Sequence, residues 1–252
     1  LEEQIKKGKL EPELLDYLRS MMQHHHSINF LLSGTHQIDQ LAQGNQSMRE
    51  NWSVFFNIAR QYRLSRLSPQ GAEDLIKKPV ENHLEYGPST VEKIRQLTAD
   101  HPYFIHLLCR SLVDHCNERR KTYVTINDVN TVLSEVMQTC DSHFDWLWKQ
   151  LTPQEQIALA VIAEHGREEG RLLPYAEIEE RYRRYRLPYE RERMQVNLKA
   201  LSEADIIESV SDDVLENTFF GMRFRIPVGL MRMWLHREKP LRLIIDEQVA
   251  VS

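Results

Sequence analysis

The sequence is poor in cysteine, glycine and proline, and it has no long hydrophobic run. Three cysteines, at 109, 116 and 140, are too few and too irregularly spaced for a disulfide framework or a zinc module, so we expect buried free thiols. Nine glycines and ten prolines in 252 residues leave no flexible or low-complexity tract. No apolar run approaches the roughly 20 residues that cross a bilayer. These absences predict a globular, cytoplasmic protein without a membrane span.

Charge and residue spacing exclude further classes of function. The formal net charge is −5, whereas tight non-specific binding of nucleic acid needs a basic face that displaces counterions. No His-x-x-x-His or Cys-x-x-Cys pair is present, and the adjacent His24, His25 and His26 point apart and do not share one ion easily. We therefore predict no metal site, and no Ser/His/Asp or Cys/His catalytic set is recognisable.

A buried strand is predicted over residues 28–32. Its residues form a continuous apolar run that ends in Ser33-Gly34-Thr35, as in a parallel sheet covered on both faces. Ligands of α/β folds bind at the carboxyl ends of such strands. Ser33 and Thr35 are therefore candidate site residues, and the alternative is a turn that only ends the strand.

A second strand is predicted over residues 61–67, where apolar and polar residues alternate. Arg63 and Arg66 lie on opposite faces of such a strand. One of them is a candidate phosphate sensor through charge-assisted hydrogen bonds; the alternative is a pair of solvated or salt-bridged arginines.

Helix signals dominate from residue 68 onward. Four short helices are predicted over 68–138, and their starts are marked by a cap residue or by proline at Ser68-Pro69, Pro88, Asp100-His101-Pro102 and Thr125. Four short helices in a row indicate a small bundle. Residues 139–150, rich in aromatic side chains, are predicted to form a connecting helix.

Residues 151–240 show the order of a winged helix, with three helices followed by two strands near 206–210 and 219–226. Residues 181–186 are basic with interleaved tyrosines, which suits phosphate contact. Acidic residues precede this run and mark the predicted wing, and they would repel a nucleic-acid backbone. We favour protein contact or detection of nucleotide state over DNA binding. Residues 241–252 form an apolar tail.

Four segments in this order resemble the C-terminal half of a bacterial P-loop ATPase of the AAA+/STAND kind. Residues 1–10 resemble the segment after the Walker B strand, residues 30–35 the sensor strand, residues 97–108 the lid, and residues 224–235 the end of the winged helix. The resemblance implies a mainly α fold with a small α/β portion. It assigns 1–67 to a partial ATPase core, 68–138 to a helical lid, 139–150 to a connecting helix, 151–240 to a winged helix and 241–252 to a tail.

The same resemblance gives roles to particular residues. Thr35 or Ser33 would be the sensor that hydrogen-bonds the terminal phosphate or the attacking water. Pro102, beside Tyr103, would lie against the adenine ring, as in the Gly-x-Pro element that starts the lid helix of these ATPases. Asp100 stands where the family has glycine. The alternative is that Asp100 only caps this helix and Pro102 only starts it.

The chain has no G-x-x-x-x-G-K-[ST] run to hold phosphates. It also begins at Leu1 without methionine, so we expect a fragment of a longer polypeptide. The resemblance then implies that the complete protein binds ATP or ADP with Mg²⁺ and is an ATPase, and that this fragment alone is inactive. Its expected partners are the missing N-terminal ATPase half, a second copy pairing at strand edges, and an effector protein. The competing class is a winged-helix adaptor that binds DNA or protein without nucleotide.

Overall fold

The computed structural model describes residues 12–24, 27, 31, 62, 64–165, 171–211 and 219–249. The chain divides into two compact units, residues 1–64 and 65–252. In the first unit, helix α1 spans Pro12–His24 and ends at the predicted run of histidines. The strand predicted over 28–32 lies, apart from Leu31, outside the described residues.

The second unit begins with four helices, which we call the helical lobe. They are α2 (Pro69–Lys77), α3 (Pro88–Thr98), α4 (Pro102–Arg119) and α5 (Ile126–Gln150). A 3-10 turn over Lys78–Val80 follows α2. Two short parallel strands, β1 (Glu85–Tyr86) and β2 (Tyr123–Val124), lie between the helices. Cys116 and Cys140 are buried and Cys109 is partly exposed, and all three are free thiols.

Local capping explains where these helices begin. The Ser68 hydroxyl accepts the Gly71 backbone N–H at 3.1 Å, and Pro69 follows as the first helical residue. Thr125 caps α5 in a reciprocal capping box with Asp128. The helix starts predicted at Ser68 and Thr125 are therefore confirmed.

Helix α5 is longer than the sequence indicated. The helix predicted from Thr125 and the connecting helix predicted over 139–150 form one continuous helix of 25 residues. No glycine or proline interrupts it, and its buried residues recur every three or four positions from Val129 to Trp148. An uninterrupted stripe of this kind gives the chain no physical reason to break near residue 139.

The segment before α2 is extended but forms no strand among its described residues, Tyr62 and 64–68. The Leu67 backbone N–H donates to the Asp100 carbonyl at 2.9 Å, so its partner is a helix-ending turn rather than a neighbouring strand. The strand predicted over 61–67 is wrong for these residues. Alternation of apolar and polar residues is equally compatible with an extended segment that has no strand partner.

The rest of the second unit forms a winged lobe. It contains α6 (Pro153–His165), β3 (Leu173–Pro174), α7 (Tyr175–Arg184), α8 (Arg191–Glu203), β4 (Glu208–Ser211), a 3-10 turn (Phe219–Gly221) and β5 (Met222–Arg225). The three strands are antiparallel in the order β3-β5-β4. This order of elements confirms the winged helix, and the mainly helical fold class with small sheets is confirmed with it.

Helix α9 (Gly229–Glu238) packs between the two lobes, and α10 (Leu241–Val249) follows it. A Cβ on Gly229 would lie 2.9 Å from the Gln96 carbonyl oxygen, so only glycine permits this approach. The N-terminus of α9 thus meets the C-terminal carbonyls of α3, which is a favourable alignment of helix dipoles. The Trp234 ring of α9 lies 5.8 Å from Phe144 and 6.2 Å from Trp148 of α5.

No helix within the described ranges is long and apolar enough to cross a membrane.

Candidate nucleotide-contact surface and arginine cleft

Three of the predicted site residues lie in the described part of the second unit, and the structure brings them to one region. Arg66 lies in the segment that the Leu67–Asp100 hydrogen bond holds against the turn after α3. Pro102 and Tyr103 follow that turn as the first residues of α4. Ser33, Thr35 and Arg63 lie outside the described residues, so their placement stays a prediction.

The turn between α3 and α4 has an unusual backbone. Ala99 and Asp100 have φ values of 50° and 58°, in the left-handed region that favours glycine. Aspartate adopts this conformation more readily than most residues, because its short polar side chain can bond locally. Asp100 stands where the resembling family has glycine, and it adopts a backbone that glycine would favour.

Arg95 clamps this turn from the last turns of α3. Its Nε and one terminal nitrogen donate to the two carboxylate oxygens of Asp100 at 2.8 and 2.9 Å. The hydrogen bonds to Asp100 raise the pKa of the Arg95 guanidinium. A two-bonded, charge-assisted pair fixes direction as well as distance, and it stabilises a turn that would otherwise be strained.

The cap of α4 is His101 rather than Asp100, which corrects the alternative proposed from sequence. The His101 Nδ1 atom accepts the Tyr103 backbone N–H at 3.3 Å. Asp100 is committed to Arg95 and does not cap the helix. Pro102 is the first helical residue, as predicted.

Tyr103 belongs to a surface of ring faces that also includes His143 and Trp146 of α5. We call these three residues the aromatic surface. The Tyr103 and His143 centroids are 5.1 Å apart and those of His143 and Trp146 are 6.5 Å apart. Tyr103 is 43% exposed and Trp146 is 49% exposed. Phe104, buried below, lies 5.8 Å from His143, so the exposed rings rest on a packed floor.

The aromatic surface carries little charge near neutral pH. Burial lowers the pKa of His143. Burial also lowers the pKa of His101, and its proximity to His143 and to the charge of Arg66 lowers it further. Neutral imidazoles beside exposed aromatic rings suit a flat, uncharged ring system, because stacking needs a π-face rather than a counter-charge.

A cleft of about 500 Å³ lies beside the turn, between the helical lobe and the end of β5. We call it the arginine cleft. Its charged lining comprises four arginines and three carboxylates, which are Arg66, Arg95, Arg225, Arg232, Glu92, Asp100 and Glu208.

Glu208 is shared by arginines from two segments of the chain. Glu208 and Arg225 are cross-strand partners in β4 and β5, and two Arg225 nitrogens lie 2.8 Å from one Glu208 oxygen. The same oxygen lies 3.6 Å from Arg66. Ser65 also donates to Asp205 at 3.4 Å. Polar contacts of Ser65 and Arg66 thus hold the segment before α2 to the winged lobe. The backbone hydrogen bond of Leu67 holds the same segment to the helical lobe.

The basic run on α7 is arranged differently from the cleft. Arg181 and Arg183 pair with Glu177 and Glu179 of the same helix at 3.3 and 2.9 Å. These carboxylates lie one turn before the basic run. They neutralise two arginines that the sequence alone indicated for phosphate contact. Among the described residues, no three His, Cys, Asp or Glu side chains lie together as a metal site would require.

Sequence reasoning missed several residues of this region. Arg95 and Asp100 are five positions apart, which is not a helical spacing. His143, Glu208 and Arg225 come from distant parts of the chain. A local signal existed only for Asp100, because the family resemblance expects glycine there.

No protein-family model and no curated protein matches the sequence. Similar solved structures include the ORC2 protein of Aeropyrum pernix, in ADPNP and ADP complexes, at 15% identity and a TM-score of 0.37. Another is Cdc6p of Pyrobaculum aerophilum, at 11% identity and a TM-score of 0.32. The matches cover 94% and 95% of this chain but 61% and 64% of those chains, so this chain spans less than two thirds of their length. These scores are too low to assign a site or a function.

Proposed function

We propose that the chain is the lid and winged-helix part of an ATP-dependent switch of the AAA+/STAND kind. The observation that carries the proposal is the turn before α4. Asp100 holds the left-handed backbone expected of the family's glycine, Arg95 clamps it, and Pro102 and Tyr103 follow beside an exposed aromatic surface.

The aromatic surface supplies the contact for the adenine ring. Tyr103 and Pro102 offer apolar faces, and His143 and Trp146 extend them along α5. Each stacked base typically contributes about 1–3 kcal/mol to binding. Specificity for adenine over other bases would need hydrogen bonds in addition to stacking.

The phosphates and Mg²⁺ need groups beyond those described for this chain. The phosphate-binding loop would lie in polypeptide outside the 252 residues, with Ser33 or Thr35 as the sensor and Arg63 or Arg66 directed toward phosphate. Bound Mg²⁺ would neutralise the charge of the phosphates. The 252-residue chain by itself is expected to lack ATPase activity.

A displacement caused by a change of bound nucleotide would be transmitted to the winged lobe through packed side chains. Phe104 follows Tyr103 in α4 and lies 5.3 Å from Phe144 of α5, which lies 5.8 Å from Trp234 of α9. A close-packed core transmits displacement because it has little room to deform. The output would be a changed contact with an effector protein or with a second copy of the chain in the cytoplasm.

Calorimetric titration with ADP and ATP tests this function. The complete gene product and the 252-residue chain are compared, together with Tyr103→Ala and a matched control, Tyr123→Ala, whose side chain is similarly exposed outside the aromatic surface. We expect binding by the complete product, weakened about tenfold by Tyr103→Ala because one stacking partner is lost, and unchanged by Tyr123→Ala. Absence of binding by the wild-type complete product would favour the adaptor class, and an unchanged Tyr103→Ala variant would contradict the adenine contact.

A further inference from the structure

We infer that the arginine cleft is a binding site for a phosphate group. In the structure described, the Glu208 carboxylate occupies the position that the phosphate would take. The inference rests on the proposed function only for one possible source, the terminal phosphate of a nucleotide. A free inorganic phosphate compound offers the same chemistry.

Glu208 is held closely by one arginine and loosely by another. Two nitrogens of Arg225 converge on a single carboxylate oxygen, Oε2, at 2.8 Å. Arg66 approaches the same oxygen only to 3.6 Å, which is longer than a hydrogen bond. As it is placed, Glu208 therefore lies near both guanidiniums but is hydrogen-bonded only to that of Arg225. A phosphate has more acceptor oxygens and can bond to both.

The carboxylates of the lining are divided unevenly between Arg95 and the pair formed by Arg66 and Arg225. Asp100 is held by Arg95 through two hydrogen bonds, and Glu92 lies 3.6 Å from the same Arg95. Glu208 is thus the carboxylate positioned between Arg66 and Arg225. A doubly charged phosphate would supply one negative charge for each of these two arginines, whereas they share the single charge of Glu208.

The exchange would have a mechanical consequence. The segment containing Ser65 and Arg66 contacts the winged lobe through Asp205 and Glu208, and it contacts the helical lobe through the Leu67–Asp100 hydrogen bond. A phosphate bonded to both Arg66 and Arg225 would replace the 3.6 Å contact between Arg66 and Glu208 with a bridge from this segment to β5. Anion occupancy would then set how firmly this segment is held.

Titration of the 252-residue chain with tripolyphosphate, followed by calorimetry, tests the site. Glu208→Gln removes the competing charge and keeps the shape of the side chain. Glu92→Gln is the matched control, because it makes the same change of charge in the same cleft but beside Arg95. We expect Glu208→Gln to bind tripolyphosphate about tenfold tighter than wild type, Glu92→Gln to differ by less than about threefold, and Arg66→Gln in the Glu208→Gln background to lose the gain.

Equal gains in Glu208→Gln and Glu92→Gln would overturn the inference, since net charge would then explain them. Absence of tripolyphosphate binding by Glu208→Gln would overturn it as well. Should that variant fail to fold, the Nε–Hε NMR signals of Arg66 and Arg225 in wild type take its place. Both signals should shift on addition of tripolyphosphate, and unmoved signals at saturating concentration would refute the site.

A parallel ADP titration of the complete gene product distinguishes the two sources. A gain for ADP in Glu208→Gln identifies the nucleotide as the source, and a gain for tripolyphosphate alone identifies a free phosphate compound. The adenine contact is scored separately through Tyr103→Ala, so failure of the proposed function and failure of this inference give different results.

Discussion

Two glutamates of the winged lobe, Glu179 and Glu208, each hold two arginines, yet their surroundings differ. Glu179 is 8% exposed and accepts from Arg183 at 2.9 Å, Arg191 at 3.1 Å and the Tyr189 hydroxyl at 2.5 Å. Glu208 lines a cleft, its side chain is 32% exposed, and its contact with Arg66 is loose at 3.6 Å.

The difference separates a structural carboxylate from an exchangeable one. All three partners of Glu179 converge on one atom, Oε1, of a side chain that is 10% exposed, so a ligand would have to break three hydrogen bonds to replace it. Glu208 lines a cleft in which the side chains of Arg66 and Arg225 are partly exposed, so a soluble anion can reach both arginines. Runs of arginine in a sequence therefore do not by themselves predict a surface that is free to bind phosphate.

Removing the charge of Glu179 should have the largest effect on stability. Glu179→Gln weakens three hydrogen bonds to a buried carboxylate, and we expect the free energy of unfolding to fall by about 2 kcal/mol. Glu190→Gln is the control, because Glu190 is an exposed residue of the same lobe that pairs with Arg193. Urea denaturation measures the free energy of unfolding of both variants. Similar losses would show that the buried hydrogen bonds of Glu179 stabilise the fold no more than the exposed ion pair of Glu190 does.

Lowering the pH should reduce the stability that the Glu179 carboxylate contributes. The hydrogen bond from Tyr189 lowers the pKa of Glu179, and the bond and charge of Arg191 lower it further against an opposing effect of burial. A carboxylate whose folded pKa lies below its ordinary value of 4.5 contributes stability above that value and loses it as the pH falls.

The stability advantage of wild type over Glu179→Gln should therefore shrink as the pH falls from about 5 to about 3. Urea denaturation at a series of pH values gives this difference directly. A difference that stays constant through this range would mean that the ionised form of Glu179 is not the stabilising one.

Weakening the Arg95–Asp100 pair, which clamps the left-handed turn, should lower the free energy of unfolding by a smaller amount. Arg95→Lys keeps the charge but loses the two-bonded geometry, and we expect a cost of about 1 kcal/mol. Asp100→Gly removes the strain of the left-handed residue, so its effect should depend on whether Arg95 is present. A double-mutant cycle by thermal denaturation should show a coupling above about 0.5 kcal/mol, and strict additivity would contradict the clamp.

Local chemistry explains what could be predicted from the sequence. Ser68 with Pro69 and Thr125 with Asp128 mark helix starts through contacts within four residues. The winged-helix order followed from the spacing of helical and strand-like patterns.

The candidate site depended on contacts that sequence spacing does not reveal. Ser65 and Asp205 are 140 positions apart, and Tyr103 meets His143 only because α4 packs against α5. The alternation over 61–67 indicated a strand, but a strand also needs a partner, and Leu67 bonds to a turn instead. Pro102 and Tyr103 could be singled out only because a local resemblance marked them.

The most direct test of the contrast measures Glu208→Gln and Glu179→Gln side by side, for stability by urea denaturation and for tripolyphosphate binding by calorimetry. We predict that Glu208→Gln changes stability by less than about 1 kcal/mol and tightens binding about tenfold. Glu179→Gln should lose about 2 kcal/mol of stability and leave binding unchanged. Tighter binding by Glu179→Gln, or none by Glu208→Gln, would contradict the distinction between an enclosed structural carboxylate and an exchangeable one.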